Sequence, residues 1–336
     1  KAFDPIVFDA YGPVFDWVTS LYHTANTQMH ELGRSSVIDL AASNSRNNSI
    51  VPLLIEKSYL SDKPVSYNYF LCLAEIVTLF DVEYSVHGTL LVILYKLGDV
   101  RLDVRRAAFK LLFYLCEKHF MSSGGYTYYV APEADIDASF TSNVVSLSMK
   151  LANDRPELTF LLLEEVMFRI PTLEPSGQKR LFSYFSHWAV NIDLRSSTQE
   201  RIGLCLRNLF VLTLKLGQER SDAEKMWTLL AQKETNIAPI LNFLFEFAVI
   251  AQSRDCLPFC KQIVLYIFRA SPRATVAHLV TELRSLDVRS LGLEKVTRGG
   301  VSNPLSWELM EIFPPMTYQE PFSRSHFAIT LLANIA

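Results

Sequence analysis

Apolar residues recur at intervals of three and four positions along almost the whole chain, and seldom at intervals of two. This spacing predicts α-helices rather than β-strands, because it places the apolar residues on one helical face. Proline in the first turn, Asp or Ser before it and glycine after the last turn mark several helix ends. The predicted helices cover residues 13–33, 64–80, 84–97, 103–120, 156–170, 175–190, 198–216, 221–232, 237–251, 255–270, 272–286, 304–312 and 322–336.

The clearest repeating unit is the segment Tyr84–Phe120, which predicts two helices joined by a short connector at Gly98. Its second helix opens with the letters D-V-R-R-A-A at residues 103–108. We expect the Asp to cap this helix, the Val and Ala residues to face the partner helix, and an Arg to reach the neighbouring repeat. The pattern resembles the second helix of HEAT repeats. An ordinary helical hairpin in a globular bundle is the alternative interpretation.

Hairpins of about 35–45 residues would fill the chain with roughly eight units. We therefore predict an all-α fold, namely an α-solenoid of HEAT/armadillo-like helical hairpins that forms one continuous domain over residues 1–336. Exposed loops are expected near 121–138 and near 297–304, where Gly, Ser and Pro gather. The sequence begins with Lys rather than Met and stops inside an apolar helical pattern, so we expect further chain beyond it.

Composition and charge exclude several classes of protein. The 12 glycines are too few for the tight turns of a β-sandwich or for phosphate-binding loops. The 32 basic and 35 acidic residues give a net charge of -3, which predicts no attraction to nucleic acid or to an anionic membrane. The longest apolar run, Ile237–Ala251, is too short to span a bilayer. The odd number of cysteines, five, predicts reduced thiols in a cytoplasmic protein.

The segment Val7–Asp16 resembles the first motif of haloacid dehalogenase-type hydrolases, in which Asp9 would be a nucleophile at the end of a strand. Two departures weaken this interpretation. Pro13 stands where that motif has Thr or Ser, and no later strand with paired aspartates is predicted. A coincidental match in a loop that enters a helix is the preferred interpretation, and the hydrolase is the least favoured alternative.

No other group of residues predicts a chemical site. Cys256 and Cys260 have nearly the spacing of metal ligands, but no second pair accompanies them, so we expect two buried thiols. His187 stands beside Ser186, and residues of a catalytic triad are brought together by the fold rather than by adjacency. We therefore predict no catalytic, cofactor-binding or metal-binding residue, no cofactor, and partner-binding residues that the sequence leaves unknown.

Two longer stretches of the chain carry a resemblance to a known family. Each stretch combines helix-opening prolines with an unusual order of polar residues. The first comprises Leu151–Arg169 with the letters P-E-L-T, Pro175–Leu181 with P-S-G, and Trp188–Leu194; the second comprises Asn236–Ala248, Cys260–Ile267 and Ala270–Arg273. In this order they resemble the Furry / cell morphogenesis family.

The resemblance implies an internal piece of a very large, non-enzymatic scaffold built from HEAT/armadillo-like repeats. Such a scaffold acts in the cytoplasm, enriched at the cell cortex or growth sites, with an NDR-class kinase and its Mob coactivator in cell polarity and morphogenesis. A HEAT-type adaptor in transport or phosphatase regulation is the alternative function. The family brings no active-site residues with it, and we expect Pro156, Pro175, Gly177 and Trp188 to maintain the fold. The basic segment 269–298 is one candidate surface for a partner.

Overall fold

The computed structural model describes residues 5–43, 50–120, 131–133, 135–195, 198–216, 220–251, 257–289 and 324–335. No β-strand occurs within these ranges, and the all-α fold class is confirmed. The chain divides into two compact units, Lys1–Phe185 and Ser186–Ala336. The single continuous stack of about eight hairpins over residues 1–336 stays a prediction.

The described part of the first unit contains nine α-helices, most of them joined by short turns. They are α1 (Pro5–Ser20), α2 (Thr27–Ser43), α3 (Ile50–Lys57), α4 (Lys63–Leu79), α5 (Val86–Leu97), α6 (Leu102–Leu115), α7 (Ala138–Asp154), α8 (Thr159–Arg169) and α9 (Pro175–Phe185). The described part of the second unit contains six. They are α10 (Gln199–Leu216), α11 (Arg220–Ala231), α12 (Ile237–Ala251), α13 (Leu257–Ala270), α14 (Pro272–Arg289) and α15 (Arg324–Ile335).

Short polar side chains start several of these helices. The Val65 amide donates to Asp62 Oδ1 ahead of α4, and the Phe140 amide donates to Asp137 Oδ1 ahead of α7. Such caps satisfy backbone N–H groups that have no partner inside the helix. The predicted cap at Asp103 is displaced, since α6 already begins at Leu102, and the Asp103 carboxylate accepts from the adjacent Val104 amide and from the Arg101 guanidinium.

Stacked hairpins make up the centre of the first unit. Helix α3 packs on α4, and α5 packs on α6. The first helices of the two hairpins contact each other, and so do the second helices, while α2 lies beside α4 and α8 lies beside α5. This is the neighbour-to-neighbour packing that repeated hairpins produce. The hairpin predicted over Tyr84–Phe120 is therefore present as α5 and α6.

Leu112 tests the rotational phase of α6. Its side chain is 1% exposed, as its position on the inner face predicts. Leu112→Ala is expected to lower the free energy of unfolding by about 2–5 kcal/mol, because transfer energy is lost and a cavity remains. Denaturant unfolding measures this difference. Lys110→Ala on the exposed side of α6 is the control, and equal effects of the two substitutions would contradict the assigned phase.

The predicted helix over 13–33 is wrong in its bounds. Pro13 lies inside α1, and Gly33 lies within α2 rather than ending a helix. Gly33 is needed for close packing, because a Cβ there would lie 2.8 Å from Cε1 of the buried Tyr22 ring. That ring cannot move aside freely, since its hydroxyl bonds Cys72 Sγ at 3.2 Å and its edge contacts Tyr69.

Gly33→Ala is therefore expected to destabilise the chain by roughly 1–3 kcal/mol, the usual cost of overpacking. Gly12→Ala in α1 is the matched control, because no atom lies within 4 Å of a Cβ built there. This second substitution should stabilise by up to about 1 kcal/mol through helix propensity. Opposite signs of the two changes in thermal midpoint are the expected result, and a stabilising Gly33→Ala would contradict the packing argument.

A π-helical turn, Cys116–Phe120, continues α6. The Arg155 side chain covers this turn. Its Nη1 donates to the His119 carbonyl at 3.0 Å, and its guanidinium lies over the Phe120 ring at 4.5 Å. Arg155 thus supplies a partner to a backbone carbonyl at the end of the helix, where intrahelical partners run out.

Helix α12 is the most apolar element of the second unit. Its residues Ile240, Leu241, Leu244 and Phe245 are fully buried, while Glu246 is exposed. The helix contacts α10, α13, α14 and α15, as expected for a helix with a wide apolar surface. Trp188 and Trp227 are also fully buried. The Trp227 indole donates to Thr213 Oγ1 at 2.9 Å, so its polar atom is satisfied inside the core.

Some predicted features are missing or fall elsewhere. Helices α3 and α7 were absent from the prediction, as was most of α2. In the loop predicted near 121–138, the described residues 131–133 and 135–137 lie outside helices, and α7 begins at Ala138. Residues 121–130, the loop predicted near 297–304 and the helix predicted over 304–312 lie outside the described residues.

Candidate functional site

A groove with a volume of about 430 Å³ lies among α2, α4 and α6 of the first unit. Its residues recur at helical spacing, so that one face of each helix contributes to the groove. The lining residues are Arg34 from α2, Leu71, Ala74, Glu75, Thr78 and Leu79 from α4, and Asp103, Ala107 and Lys110 from α6. We call this the α4–α6 groove.

Small side chains create the space between the two helices. Ala74 and Ala107 stand where larger residues would close the gap between α4 and α6. Ala74 is buried, whereas Ala107 is half-buried and reaches the groove. Leu79 beside them is 59% exposed. The α4–α6 groove therefore offers an accessible apolar lining, which is a common property of surfaces that bind other proteins.

Charged residues of both signs border the apolar lining. Arg34 Nη1 donates to Asn68 Oδ1 at 2.5 Å, and Asp103 pairs with Arg101, so these two side chains are held in place. Glu75 and Lys110 are exposed and form no ion pair within the described residues. A free carboxylate and a free ammonium thus lie on either side of the groove, where they can select a partner by charge.

The structure gives the sequence-predicted residues no shared site. Asp9 lies within helix α1, so the strand end that a hydrolase nucleophile would need is absent there. Cys260 is fully buried, as predicted, and Cys256 lies outside the described residues. No cluster of His, Cys, Asp and Glu that could hold a metal ion occurs in the described part of the chain.

His187 is half-buried in the second unit. Burial, and then the positive charge of Lys225, lowers its pKa to about 4. The imidazole is therefore neutral at pH 7, and its Nε2 has no hydrogen-bond partner among the described residues. A base with so low a pKa is a weak proton acceptor near neutral pH. The environment of His187 is that of a core residue.

The P-S-G stretch at Pro175–Leu181 packs α9 onto α5. Gly177 permits this contact, because a Cβ there would lie 2.9 Å from the Tyr95 hydroxyl. Gln178 Nε2 donates to the carbonyls of Ile170 and Leu173 at 3.0 and 2.9 Å, which fixes the turn before α9. The structural role expected for Gly177 agrees with this packing.

The two family-like stretches meet at Asn236 in the second unit. Asn236 is 0% exposed, and its Nδ2 donates to the carbonyls of Ile192 and Leu230, each at 2.9 Å. Its Oδ1 accepts from the Leu194 amide at 2.8 Å. One amide side chain therefore joins the segment after Trp188 to the start of α12. The unusual residues of these stretches serve the fold here, as the Trp188 position also indicates.

Arg105 of α6 joins the α5–α6 turn to the segment that precedes α7 and to α7 itself. Its Nε donates to the Pro132 carbonyl at 2.7 Å, and Nη1 donates to the carbonyls of Asp99 and Val100 at 3.0 Å. Its guanidinium also lies 5.5 Å from the centre of the Phe140 ring. The expectation that an Arg of the D-V-R pattern reaches the next repeat is met by this residue.

The basic segment 269–298 is only partly described. Arg269 Nη1 pairs with Glu224 Oε1 at 2.5 Å, and residues 290–298 lie outside the described residues. The first cation of the segment is thus already neutralised by a neighbouring helix.

The sequence analysis missed the groove residues Arg34, Glu75 and Lys110, because they lie on three separate helices that no local sequence pattern brings together.

No helix in the described residues is long and apolar enough to cross a membrane. In a comparison with protein families, the cell morphogenesis central region matches residues 23–300. The matched range covers most of the chain and includes the α4–α6 groove as well as the residues that surround Asn236. The resemblance that the P-E-L-T and P-S-G stretches carry is confirmed by this match.

Proposed function

This chain belongs to the family of proteins that contain the cell morphogenesis central region, and on that premise we propose that it is a non-enzymatic scaffold for protein–protein interaction in cell polarity and morphogenesis signalling. Its proposed partners are an NDR-class kinase and a Mob coactivator, which the resemblance implies. It acts in the cytoplasm, enriched at the cell cortex or growth sites. The buried thiols of Cys72, Cys116 and Cys205 form no disulfide within the described residues, which supports a reducing compartment.

The α4–α6 groove is the observation that carries this proposal. It combines an accessible apolar lining with an unpaired carboxylate at Glu75 and an unpaired ammonium at Lys110. A helix or extended segment of a partner that carries one apolar side chain between charges of both signs would fit this arrangement. Neither charge has to break an existing ion pair in order to bind.

Two alternative functions, an adaptor and a hydrolase, make different demands on this structure. A HEAT-type adaptor in transport or phosphatase regulation would also bind protein through such a groove, and only the identity of the partner separates it from the proposal. A hydrolase that uses Asp9 is disfavoured, since α1 offers no strand end to that carboxylate.

Ala107→Gln tests the groove directly. The longer side chain would occupy the space between α4 and α6 and exclude a partner side chain from it. We expect binding of a purified NDR-class kinase–Mob complex, measured by titration calorimetry, to weaken at least ~10-fold, which corresponds to about 1.4 kcal/mol.

Ala138→Gln is the matched control, because Ala138 is an exposed alanine at the start of α7, outside the groove. It should bind like the unmodified chain. Equal binding by the two variants would reject the α4–α6 groove as the interface. Failure of the unmodified chain to bind the kinase–Mob complex, together with binding to a transport or phosphatase subunit, would favour the adaptor instead.

A further inference from the structure

A second, much smaller cavity lies between α4, α5 and α9 of the first unit, separate from the α4–α6 groove. Its volume is about 30 Å³. Three aromatic side chains, Tyr59, Tyr67 and Tyr95, contribute to its wall, and Lys96 and Arg180 contribute cations. Two of its residues, Tyr95 and Arg180, belong to the contact that the P-S-G stretch makes with α5. The cavity is thus built by the packing of the hairpins.

Lys96 is the most unusual residue of the cavity. It is 2% exposed, and its only side-chain hydrogen bond in the described residues is the donation from Nζ to Ser66 Oγ at 3.2 Å. No carboxylate among the described residues lies within ion-pair distance of Lys96 Nζ. The rings of Tyr67, Phe70 and Tyr95 surround the ammonium at 5.2, 5.9 and 5.6 Å. An ammonium has three donors, and a buried one without an anion is costly.

Two further polar atoms at the cavity have no hydrogen-bond partner. They are the hydroxyl of Tyr59, a residue that is 3% exposed, and Nε of Arg180. The Arg180 Nη1 atom is already used, since it donates to the Gly98 carbonyl at 2.8 Å. Buried polar atoms are rarely left without a partner, so the cavity contains unused donors that need an acceptor.

The carboxylates at the cavity do not supply that acceptor. Asp99 accepts the Arg101 amide at 3.1 Å, and although its negative charge partly opposes the lowering of the Lys96 pKa, it forms no ion pair with Nζ. Glu174 is exposed at the rim, as is Lys63. Three cations therefore face two carboxylates, and the cation in the interior, Lys96, experiences the negative charge of Asp99 without forming an ion pair in the described residues.

We propose that this cavity binds one small monovalent inorganic anion of about the size of chloride, held by Lys96 Nζ, Arg180 Nε and the Tyr59 hydroxyl. The volume limits the ligand to a small one, because a single water needs about 10–15 Å³ of cavity volume and this cavity has about 30 Å³. Chloride and bromide are only somewhat larger than water, whereas sulfate and phosphate are several times bulkier. The bound anion would tie the α3–α4 turn, α5 and α9 together by satisfying a donor from each.

Bromide is the probe that locates the site. Crystals of the full chain grown in sodium bromide should show one anomalous peak within hydrogen-bond distance of Lys96 Nζ. Lys96→Met, which keeps the length of the side chain and removes its charge, should abolish that peak. Lys63→Met at the rim should retain it. Water alone in the cavity of the unmodified protein, or a peak that survives in Lys96→Met, would overturn the proposal.

A solution measurement tests the same site without a crystal. Replacing sodium gluconate by sodium chloride at constant ionic strength, about 0.15 M, should raise the thermal midpoint of the unmodified chain by ~2–4 °C, since gluconate is too large to enter. Lys63→Met should respond equally, and Lys96→Met should not respond. If all three proteins respond alike, the effect comes from general salt and the proposal fails.

Discussion

Asn236→Ala is expected to lower the free energy of unfolding by about 3–5 kcal/mol. The substitution removes three buried hydrogen bonds and leaves the Leu194 amide and the carbonyls of Ile192 and Leu230 without a partner. A net hydrogen bond is worth about 1 kcal/mol, and each buried group left unsatisfied adds a penalty of about 1–3 kcal/mol. Hydrogen exchange should increase first around residues 188–194 and 230–240, measured by mass spectrometry.

Asn236→Asp separates hydrogen bonding from packing. The aspartate keeps the volume and the acceptor, but it places a carboxylate oxygen where Nδ2 now donates to two carbonyls. We expect it to be at least as damaging as alanine at pH 7. Gln232→Ala, at an exposed position after α11, is the control and should change the denaturation midpoint little. If Asn236→Asp were neutral, the role given to the two donated bonds would be wrong.

Lys96→Met is expected to stabilise the chain at pH 7 in a chloride-free buffer. Burial lowers the pKa of Lys96 from its ordinary value of 10.5 to about 8. A shift of that size corresponds to roughly 3 kcal/mol against the charged form in the folded state. Methionine has a similar length and no charge to desolvate, and replacing buried charged groups by apolar ones often stabilises a protein.

The pH dependence of this difference has a definite sign. Because the folded-state pKa of Lys96 lies below the unfolded-state value, the unfolded chain binds more protons between about pH 8 and 10.5. The destabilisation by Lys96 is therefore fully present below about pH 8 and disappears as the pH rises towards 10.5. The advantage of Lys96→Met should shrink over the same interval.

Comparison of the two proteins at each pH removes the contribution of other groups. Burial raises the pKa of the Cys72 and Cys205 thiols to about 12, so these thiols favour the folded state less as the pH rises above their ordinary value of 9.0. This effect is common to both proteins and cancels in the difference. Urea, rather than guanidinium chloride, keeps the titration free of small monovalent anions. A difference that does not vary between pH 7 and 10.5 would show that Lys96 is not a desolvated ammonium.

Sequence periodicity predicts the helices whose apolar positions are regular and whose ends are marked. Helix α5 begins after Ser85, whose hydroxyl accepts from the Gly88 amide at 3.1 Å, and it ends at Gly98, as expected. Gly33, unlike Gly98, does not mark the end of a helix. Gly33 lies inside α2 because the buried Tyr22 ring leaves no room for a Cβ there, and that contact depends on the tertiary fold. Because the sequence analysis interpreted Gly33 as the end of a helix, it missed most of α2.

The missed helix α7 did have a signal in the sequence. Asp137 caps it, and Phe140, Val144, Leu147 and Leu151 repeat at intervals of four, three and four residues, all buried. The prediction placed a loop over the Gly- and Ser-rich residues before it and assigned no helix to the residues that follow Ala138. The α4–α6 groove and the Lys96 cavity, however, had no local signal. Lys96 stands in an apolar stretch, and nothing in the sequence says that Ser66 and Arg180 will lie beside it.

The π-helical turn at Cys116–Phe120 makes the end of α6 sensitive to a change in length. A π turn holds one residue more than an α turn, so deletion of one residue here would restore regular α geometry. The chain beyond the turn would keep its orientation, because the deleted residue is the extra one that the wider turn accommodates. Within the turn, however, the deletion would move the His119 carbonyl and the Phe120 ring, which Arg155 now binds. The extra residue therefore places the two groups that hold Arg155 ahead of the P-E-L-T segment.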